Sequence, residues 1–338
     1  MSPPVEPIDL ASERLGGRAL LANDEFFAPK ENLLKPGRGE FIEGKYTDRG
    51  KWMDGWETRR RRELGHDWCI IELGAPGVIQ AVVVDTNHFK GNHPEACSLE
   101  ACVLETPPTL EELRALDDRW TELLPRSPLR GHAENRFAVH PGPRVSHVRL
   151  NIFPDGGVAR LRILGEVRPA WDHLLDGGAV VDLAAAEHGG VPLACSDEFF
   201  SRPLNLIMPG RSANMGDGWE TRRRRGPGHD WVVLRLGRRG TIERVELETT
   251  HFKGNYPDTA SLEGCDTATD DPSEAGGAPP DWREIVPRTK LQADAQHVFR
   301  DQLAFHGPVS HLRLNIYPDG GVARLRVFGR PVDAPERA

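Results

Sequence analysis

The sequence predicts an all-β protein made of two tandem β-sandwich repeats of the jelly-roll type, and three observations lead to that fold class. Long blocks of sequence occur twice, with spacings of 163 to 173 positions. Most segments with a regular hydrophobic pattern alternate with the two-residue period of a strand. Glycine and proline are abundant, with 35 and 28 residues among 338, which favours many short strands joined by turns.

The repeated blocks divide the chain into two copies of one domain. In the longest pair, SHVRLNIFPDGGVARLRILG at 146–165 matches SHLRLNIYPDGGVARLRVFG at 310–329. We expect a first repeat over 8–167 and a second over 181–330, with RPAWDHLLDGGAV as the linker. The first copy carries ten more residues in the region of the insertion 39–53, which is the main break in the pseudo-symmetry.

Individual strands are predicted from their hydrophobic patterns, taken in chain order. HDWCIIELG alternates and VIQAVVVDT is a β-branched run, so we expect two strands there. HVRLNIF places Val148, Leu150 and Ile152 on one face of a further strand. The turn residues PDGG and the alternating segment VARLRILG follow, which predicts a β-hairpin. TLEELRALDDRWTEL at 109–123 has the pattern of a helix.

Composition is typical of globular proteins and excludes several classes of partner. Hydrophobic residues make up 38% of the chain and charged residues 28%, and the formal net charge is −8. A negative chain is a poor match for a phosphate backbone, so we expect no nucleic-acid partner. No apolar run reaches the roughly 20 residues of a membrane span, and the first residues lack a secretory pattern. We therefore expect no membrane contact and a cytoplasmic location.

The cysteine count and the absence of common motifs argue against bound metals and cofactors. The five cysteines are odd in number and have no CxxC spacing, which predicts small buried side chains in a reducing compartment. HExxH, GxSxG, Walker A and GxGxxG patterns do not occur. We expect no cofactor and no dedicated metal site, while a weak site assembled from separate loops stays open.

Identity between the two copies is concentrated in DGWETRRRR, HFKGN and PDGGVARLR, which we call the three unchanged blocks. Segments 103–140 and 266–305, by contrast, share almost nothing. A very recent duplication would leave similarity everywhere. A physical constraint therefore acts on these three blocks in both copies.

The first unchanged block carries four arginines, of which at most two can face one site in an extended chain. Arg59 and Arg61 can share such a site with Glu57 and bind a planar carboxylate through two hydrogen bonds. The competing interpretation is an exposed edge strand that charge protects against pairing. Aromatic residues do not alternate with the arginines, which argues against single-stranded nucleic acid.

The second unchanged block follows an apolar strand, in the kind of loop where chemistry tends to lie. His88 can act as a general acid near neutral pH, and Lys90 and Asn92 can bind carbonyl oxygens. A structural loop with unusual backbone angles is the alternative. We interpret the third block mainly as architecture, in which Arg160 reaches Asp155 or a ligand. We interpret GHDW as a turn with a core tryptophan.

The combination DGWETRRRR, GHDW, HFKGN, SLE and RLNI(F/Y)PDGGVARLR, present twice, resembles the allantoicase family over nearly the whole chain. The resemblance implies two jelly-roll repeats similar to galactose-binding-like modules. It also implies a hydrolase of purine and allantoin catabolism that cleaves allantoate to (S)-ureidoglycolate and urea. Allantoate has one carboxylate and two ureido groups, so its pocket needs cationic groups together with hydrogen-bond donors and acceptors.

From the residues and the resemblance together, we expect each repeat to contribute an acid, a histidine and several polar side chains to a site for allantoate. The mechanistic hypothesis is acid-assisted departure of urea, with histidine as the proton donor and glutamate activating water. The expected catalytic residues are Glu57, His88, Glu220 and His251. The expected substrate-binding residues are Arg59, Arg61, Lys90, Asn92, Arg222, Arg224, Lys253 and Asn255.

Several alternatives stay open on the sequence alone. Both repeats, one repeat, or a site that straddles them can be catalytic. Three departures from the pseudo-symmetry bear on this question: Tyr256 in place of His93, Glu248 in place of Asp85, and the insertion 39–53. Two non-enzymatic functions compete, namely a tandem module that binds a small polar or carbohydrate ligand and an oligomerisation protein. The net charge also permits a homo-oligomer.

Overall fold

The computed structural model describes residues 7–104, 106–174, 178–268 and 281–332. Within these ranges the chain is mostly strand and loop, and it forms two compact units. One unit runs from Pro7 to Pro169, and the other begins at Ala170. The all-β prediction is confirmed. No helix in the described ranges is long and apolar enough to cross a membrane.

The described part of the first repeat contains twelve strands: β1 (Ile8–Asp9), β2 (Arg18–Ala22), β3 (Tyr46–Thr47), β4 (Gly50–Lys51), β5 (Trp56–Glu57), β6 (Asp67–Asp85), β7 (Ala96–Cys102), β8 (Thr121–Pro128), β9 (Glu134–Ala138), β10 (Val145–Phe153), β11 (Gly157–Val158) and β12 (Arg160–Val167). It also contains the short helix α1 (Leu110–Arg114) and 3-10 turns at Glu13–Leu15, Lys30–Leu34 and Asp117–Arg119.

The described part of the second repeat contains ten strands: β13 (Val181–Asp182), β14 (Val191–Cys195), β15 (Trp219–Glu220), β16 (Asp230–Glu248), β17 (Thr259–Cys265), β18 (Arg283–Lys290), β19 (Gln296–Phe299), β20 (Val309–Tyr317), β21 (Gly321–Val322) and β22 (Arg324–Pro331). Its 3-10 turns are Ala186–His188, Pro203–Ile207 and Met215–Asp217. The short helix α2 (Trp171–Leu174) lies in the predicted linker, of which residues 175–177 are outside the described residues.

One long strand belongs to both layers of each sandwich. The N-terminal half of β6 pairs with β2 and β10, and that layer continues through β7 to β8. Its C-terminal half pairs with β9 and β12, and β1 completes the second layer. In the second repeat β16 has the same place, and a small cavity is lined by Leu247 and Phe299 from one layer and Leu314 from the other. Each repeat is therefore a β-sandwich, as predicted.

The two strands predicted from HDWCIIELG and VIQAVVVDT are one continuous strand, β6. The two predicted segments meet at Gly74 and Gly77, where other backbone segments approach closely. A Cβ atom on Gly74 would lie 2.6 Å from the carbonyl carbon of Leu15, and one on Gly77 would lie 2.4 Å from the carbonyl oxygen of Glu166. Glycine permits this close approach, which lets one strand change layers.

The hairpin predicted at PDGG is wrong. β10 and β12 do not pair with each other, because both pair with β6, at residues 67–77 and 77–85 respectively. The PDGG segment leads instead into β11, which pairs with β5. A long shared partner strand therefore overrides the local turn signal.

Other predictions for local structure are confirmed or shortened. Val148, Leu150 and Ile152 are fully buried on one face of β10, as expected from their alternation. The helix predicted over 109–123 is limited to α1, which Thr109 and Glu112 cap reciprocally. The end of that segment, from Thr121, belongs to β8 instead.

Candidate functional site

The three unchanged blocks come together in each repeat. β5 of the first block pairs with β11 of the third, and Glu57 lies opposite Gly157. The backbone N–H of Gly157 donates to the carbonyl oxygen of Asn92, which belongs to the second block, at 2.8 Å. In the second repeat, Gly321 lies opposite Glu220 and donates to Asn255 at the same distance.

Packing explains why the glycines of these blocks are repeated. The ring of Phe89 is fully buried against the backbone of the two neighbouring blocks. A Cβ atom on Gly157 would lie 2.0 Å from this ring, and one on Gly55 would lie 2.7 Å from it. Phe252 makes the equivalent contacts in the second repeat, with 1.9 Å to a Cβ built on Gly321. The HFKGN loop is thereby fixed next to the strand that carries the glutamate.

A glutamate and an asparagine contact each other at the centre of this arrangement. Asn92 Nδ2 donates to Glu57 Oε1 at 2.7 Å, and Asn255 Nδ2 donates to Glu220 Oε1 at 2.5 Å. Both glutamates are half-buried. Burial raises the pKa of Glu57, and the hydrogen bond from Asn92 opposes part of that rise. Two expected site residues of each repeat are thus in direct contact.

Both candidate histidines have a left-handed backbone, which is uncommon for residues other than glycine. His88 has φ 68° and His251 has φ 71°. The backbone N–H of His88 donates to Nδ1 of His132 at 2.9 Å, whereas that of His251 donates to Oδ1 of Asp294 at 2.7 Å. Strained backbone of this kind clusters at functional sites.

The ring of His88 has aromatic neighbours. Phe41, from the insertion, stacks on it with the ring centroids 5.5 Å apart, and the ring of His132 lies 5.4 Å away. Burial lowers the pKa of His88, and the neighbouring side chains of His132, Arg38 and Lys90 lower it further, while a hydrogen bond to the Gly39 carbonyl opposes them. In the second repeat, the ring of His251 contacts the carbonyl oxygen of Ser212 through Nε2 at 2.9 Å.

The expected arginines are held by aspartates. Arg59 donates through Nε to Asp24 at 2.6 Å, while its side chain stays 63% exposed. Arg61 donates through Nη1 to Asp67, which is buried, at 2.7 Å. Their counterparts make the same pairs, Arg222 with Asp197 and Arg224 with Asp230.

Neither Arg59 nor Arg61 has a described contact with Glu57. The repeated aspartates of the motifs NDEFF and SDEFF were the sequence signal for the pair that holds Arg59 and Arg222. Lys90 and Lys253 are exposed, and no carboxylate pairs with either of them among the described residues. The same is true of Arg60.

Arg160 has a partner that the sequence did not predict. It is buried, and its Nη2 donates to Asp54 Oδ2 at 2.6 Å, so the expected contact with Asp155 is wrong. Asp155 instead accepts from the backbone N–H of Arg61 at 2.8 Å. The buried pair of Arg160 and Asp54 therefore joins the first and third unchanged blocks.

A further repeated polar group lies on the outer side of the sheet, and we call it the outer cluster: Ser98, Glu100, Arg149 and Asn151. Glu100 accepts from Arg149 at 2.7 Å and from Asn151 at 2.8 Å. Ser261, Glu263, Arg313 and Asn315 form its counterpart. These contacts explain the repetition of SLE and RLN as architecture.

The GHDW motif of the first repeat lies beside the outer cluster and has a different buried residue from the one expected. Trp68 is only half-buried, so the expected core tryptophan is wrong, and Asp67 is the buried residue.

The five cysteines are free thiols, and four are buried. No group of three or more His, Cys, Asp and Glu side chains that could hold a metal ion is found in the described ranges.

Sequence reasoning missed Phe41 and His132. Phe41 lies in the insertion, which has no counterpart to compare, and His132 lies in the segment where the copies share almost nothing. His132 and Asp294 both have a positive φ, 52° and 50°, which identifies them as counterparts. This property is visible only in the structure.

A model of the allantoicase repeat family matches the chain twice, over residues 8–168 and 181–332. A probable allantoicase from Rhizobium meliloti (strain 1021) is 49% identical over 336 residues, which cover 98% of this chain and 96% of the relative. Probable allantoicase 2 from Burkholderia pseudomallei (strain K96243) is 48% identical over 324 residues, which cover 95% of this chain and 94% of the relative.

A solved structure agrees with these sequence comparisons. The crystal structure of allantoicase from Saccharomyces cerevisiae matches with a TM-score of 0.77 and 36% identity. The match covers 95% of this chain and 92% of that chain.

Proposed function

This chain belongs to the allantoicase family, and we propose that it hydrolyses allantoate to (S)-ureidoglycolate and urea. The observation that carries the proposal is the 48–49% identity to curated allantoicases over at least 95% of the chain. In the reaction, the bond between the central carbon and one ureido nitrogen breaks, and a bond to the water oxygen forms. Water loses a proton and the leaving nitrogen gains one, so the site needs a base and an acid.

We propose that Glu57, the glutamate that Asn92 contacts, is the base. The hydrogen bond from Asn92 holds Glu57 through Oε1, which leaves Oε2 able to accept a proton from water. A glutamate with a raised pKa is a stronger base than a solvated one, and burial raises the pKa of Glu57. Glu220 and Asn255 offer the same arrangement in the second repeat.

We propose the histidine of the same loop as the acid. His88 follows the strand that leads into the loop, and Asn92 at the other end of the loop contacts Glu57. Because the pKa of His88 is lowered, its protonated form is a stronger acid than free imidazolium, but it is populated only toward acidic pH. His251 is the counterpart.

We propose that Arg59 and Lys90 bind the substrate carboxylate. Asp24 holds Arg59 through Nε and leaves its terminal nitrogens able to donate, because the side chain is mostly exposed. Arg61 is turned toward Asp67, so we assign it to support of the loop. Arg222 and Lys253 correspond to the binding pair in the second repeat, and Arg224 corresponds to Arg61. Asn92 and Asn255 would also orient a ureido group.

These roles imply a bell-shaped pH dependence of kcat/KM. Activity is lost at low pH as Glu57 gains a proton, and it is lost at high pH as His88 loses one. The pKa of Glu57 is raised and that of His88 is lowered. The acidic and alkaline limbs of the pH profile therefore lie closer together than they would for a solvated glutamate and a solvated histidine. A colorimetric urea assay over a pH series measures both limbs.

The function is tested with purified protein, allantoate and the same urea assay. Wild-type protein should release urea, and Glu57→Gln combined with Glu220→Gln should lower turnover by about 100-fold or more. Glu63→Gln is the matched control, because this exposed glutamate has glycine at the corresponding position of the second repeat. Allantoate binding without urea release by the wild type would instead favour the non-catalytic module.

We also propose a cytoplasmic enzyme without nucleic-acid or membrane partners. The free, mostly buried cysteines support a reducing compartment, and the net charge of −8 argues against a polyanionic partner. Assembly into a homo-oligomer stays a prediction that sedimentation velocity tests.

A further inference from the structure

The surroundings of the two candidate histidines differ in ways that bear on which repeat reacts. His132 and Asp294 occupy the same place, since both have a left-handed backbone and both accept the backbone N–H of the histidine. Only the first repeat therefore has a second imidazole at this position. The ring of His88 stacks on Phe41 and also has the His132 ring beside it.

The two glutamate–asparagine pairs also have different neighbours. In the second repeat, Nδ2 of Asn255 contacts the sulfur of Met215 at 3.8 Å as well as Glu220. In the first repeat, the insertion replaces the short turn that carries Met215, and the described contact of Asn92 Nδ2 is with Glu57 alone. The second pair therefore has an apolar thioether as a neighbour, which the first pair lacks among its described contacts.

The charged groups that face His88 come from several segments. Arg38 lies near it, but its charge is balanced by Asp85 at 3.0 Å and Glu134 at 3.1 Å. Lys90 follows in the same loop, and Nζ of Lys51 lies 4.4 Å from the centroid of the Phe41 ring. Lys51 and Glu134 also differ between the repeats, because Lys51 lies in the insertion and Gln296 takes the place of Glu134. Of the differing groups, His132 is the one whose ring lies directly beside that of His88, and its counterpart is an aspartate.

We propose that the first repeat carries the reacting pair of Glu57 and His88, and that His132 is a positioning residue for His88. This inference rests on the proposed function and assigns it to one of the two candidate sites. The backbone hydrogen bond from His88 to His132 fixes the strained loop conformation, and the adjacent ring sets the electrostatic environment of the imidazole.

The test exchanges the residues at positions 132 and 294, so that each repeat receives the side chain of the other. His132→Asp copies the second repeat, and an aspartate is tolerated there because Asp294 has the same backbone conformation. The new carboxylate favours the protonated form of His88, so the alkaline limb of kcat/KM should move upward by about 0.5–1 pH unit. His132→Asn keeps an acceptor for the backbone N–H without adding a charge, so it should leave the limb close to its wild-type position. Asp294→His should leave the limb in place.

The outcomes separate this inference from the function itself. An alkaline limb that stays in place in the folded His132→Asp protein, checked by circular dichroism, would overturn it, and so would an equal upward shift in His132→Asn. A limb that moves in Asp294→His would assign the reaction to the second repeat and also overturn it. Failure of the wild-type protein to release urea would be a failure of the proposed function, and it is measured before any variant is made.

Discussion

The first and second repeats have the same glutamate–asparagine contact but enclose the neighbouring histidine differently. Both have the buried phenylalanine, the paired glycines and the aspartate-bound arginine. Among the described residues, only the first repeat has an aromatic ring from an insertion and a second imidazole beside the histidine. The comparison teaches that the unchanged residues build the framework, whereas the divergent ones set the chemical environment of the group that would transfer a proton.

The largest expected effect tests the shared framework. Arg160→Met leaves Asp54 buried without its guanidinium partner, so we expect the first repeat to lose about 3–5 kcal/mol of unfolding free energy. Arg324→Met should have an effect of similar size in the second repeat, where Arg324 pairs with Asp217 at 3.0 Å. Urea denaturation, fitted with a separate transition for each repeat, measures both. Arg60→Met is the control, and a loss below 1 kcal/mol for Arg160→Met would contradict the framework role.

The next effect concerns the insertion. Phe41 is 40% exposed, so Phe41→Ala should change stability little. It removes the planar surface beside His88, and we expect kcat/KM for allantoate to fall about three- to tenfold, because an aromatic contact is worth roughly 0.5–1.5 kcal/mol. Met215→Ala, at the corresponding turn of the second repeat, should leave kcat/KM unchanged. Equal losses in the two variants would remove the distinction between the repeats.

A separate effect concerns the pH dependence of stability. Burial raises the pKa of Asp9 to about 6, although Arg162 opposes the rise. The folded first repeat therefore binds a proton more tightly than the unfolded chain, so its stability should fall as pH rises from about 4 to 6. Asp9→Asn keeps the Oδ1 acceptor and should remove this dependence, which we expect to be about 3 kcal/mol in total. Denaturation at several pH values checks it, and an unchanged slope in the variant would contradict the assignment.

The smallest effect exchanges a core residue. Cys97 is fully buried in the first repeat, and Ala260 takes its place in the second, where it lines the small cavity. Ala260→Cys should fill part of that space and stabilise the second repeat by about 0.5–1 kcal/mol. Cys97→Ala should destabilise the first repeat by a similar amount. A destabilised Ala260→Cys protein would mean that the cavity cannot accept the sulfur.

Much of the fold could be predicted because it follows from local patterns and from the duplication. The alternation of Val148, Leu150 and Ile152 sufficed for the buried face of β10. The hairpin at PDGG could not be rejected, because the strand that separates β10 and β12 lies some 70 residues earlier in the chain. Pairing between distant segments carries no local signature.

The candidate site was predictable in its residue types but not in its contacts. Repetition identified Glu57 and Asn92, yet their contact depends on Phe89 packing against glycines in other blocks. Arg61 looked like a substrate ligand, and its turn toward Asp67 depends on which face of the loop is buried. No sequence pattern identified His132. It lies in a segment where the two copies share almost nothing, so its difference from Asp294 is one among many.

The most direct test of the account compares kcat/KM for Glu57→Gln and Glu220→Gln, each made alone in the full chain. We predict that Glu57→Gln lowers kcat/KM by about 100-fold or more and that Glu220→Gln lowers it by about threefold at most. Similar losses in both variants, or a larger loss in Glu220→Gln, would contradict the assignment of the reaction to the first repeat.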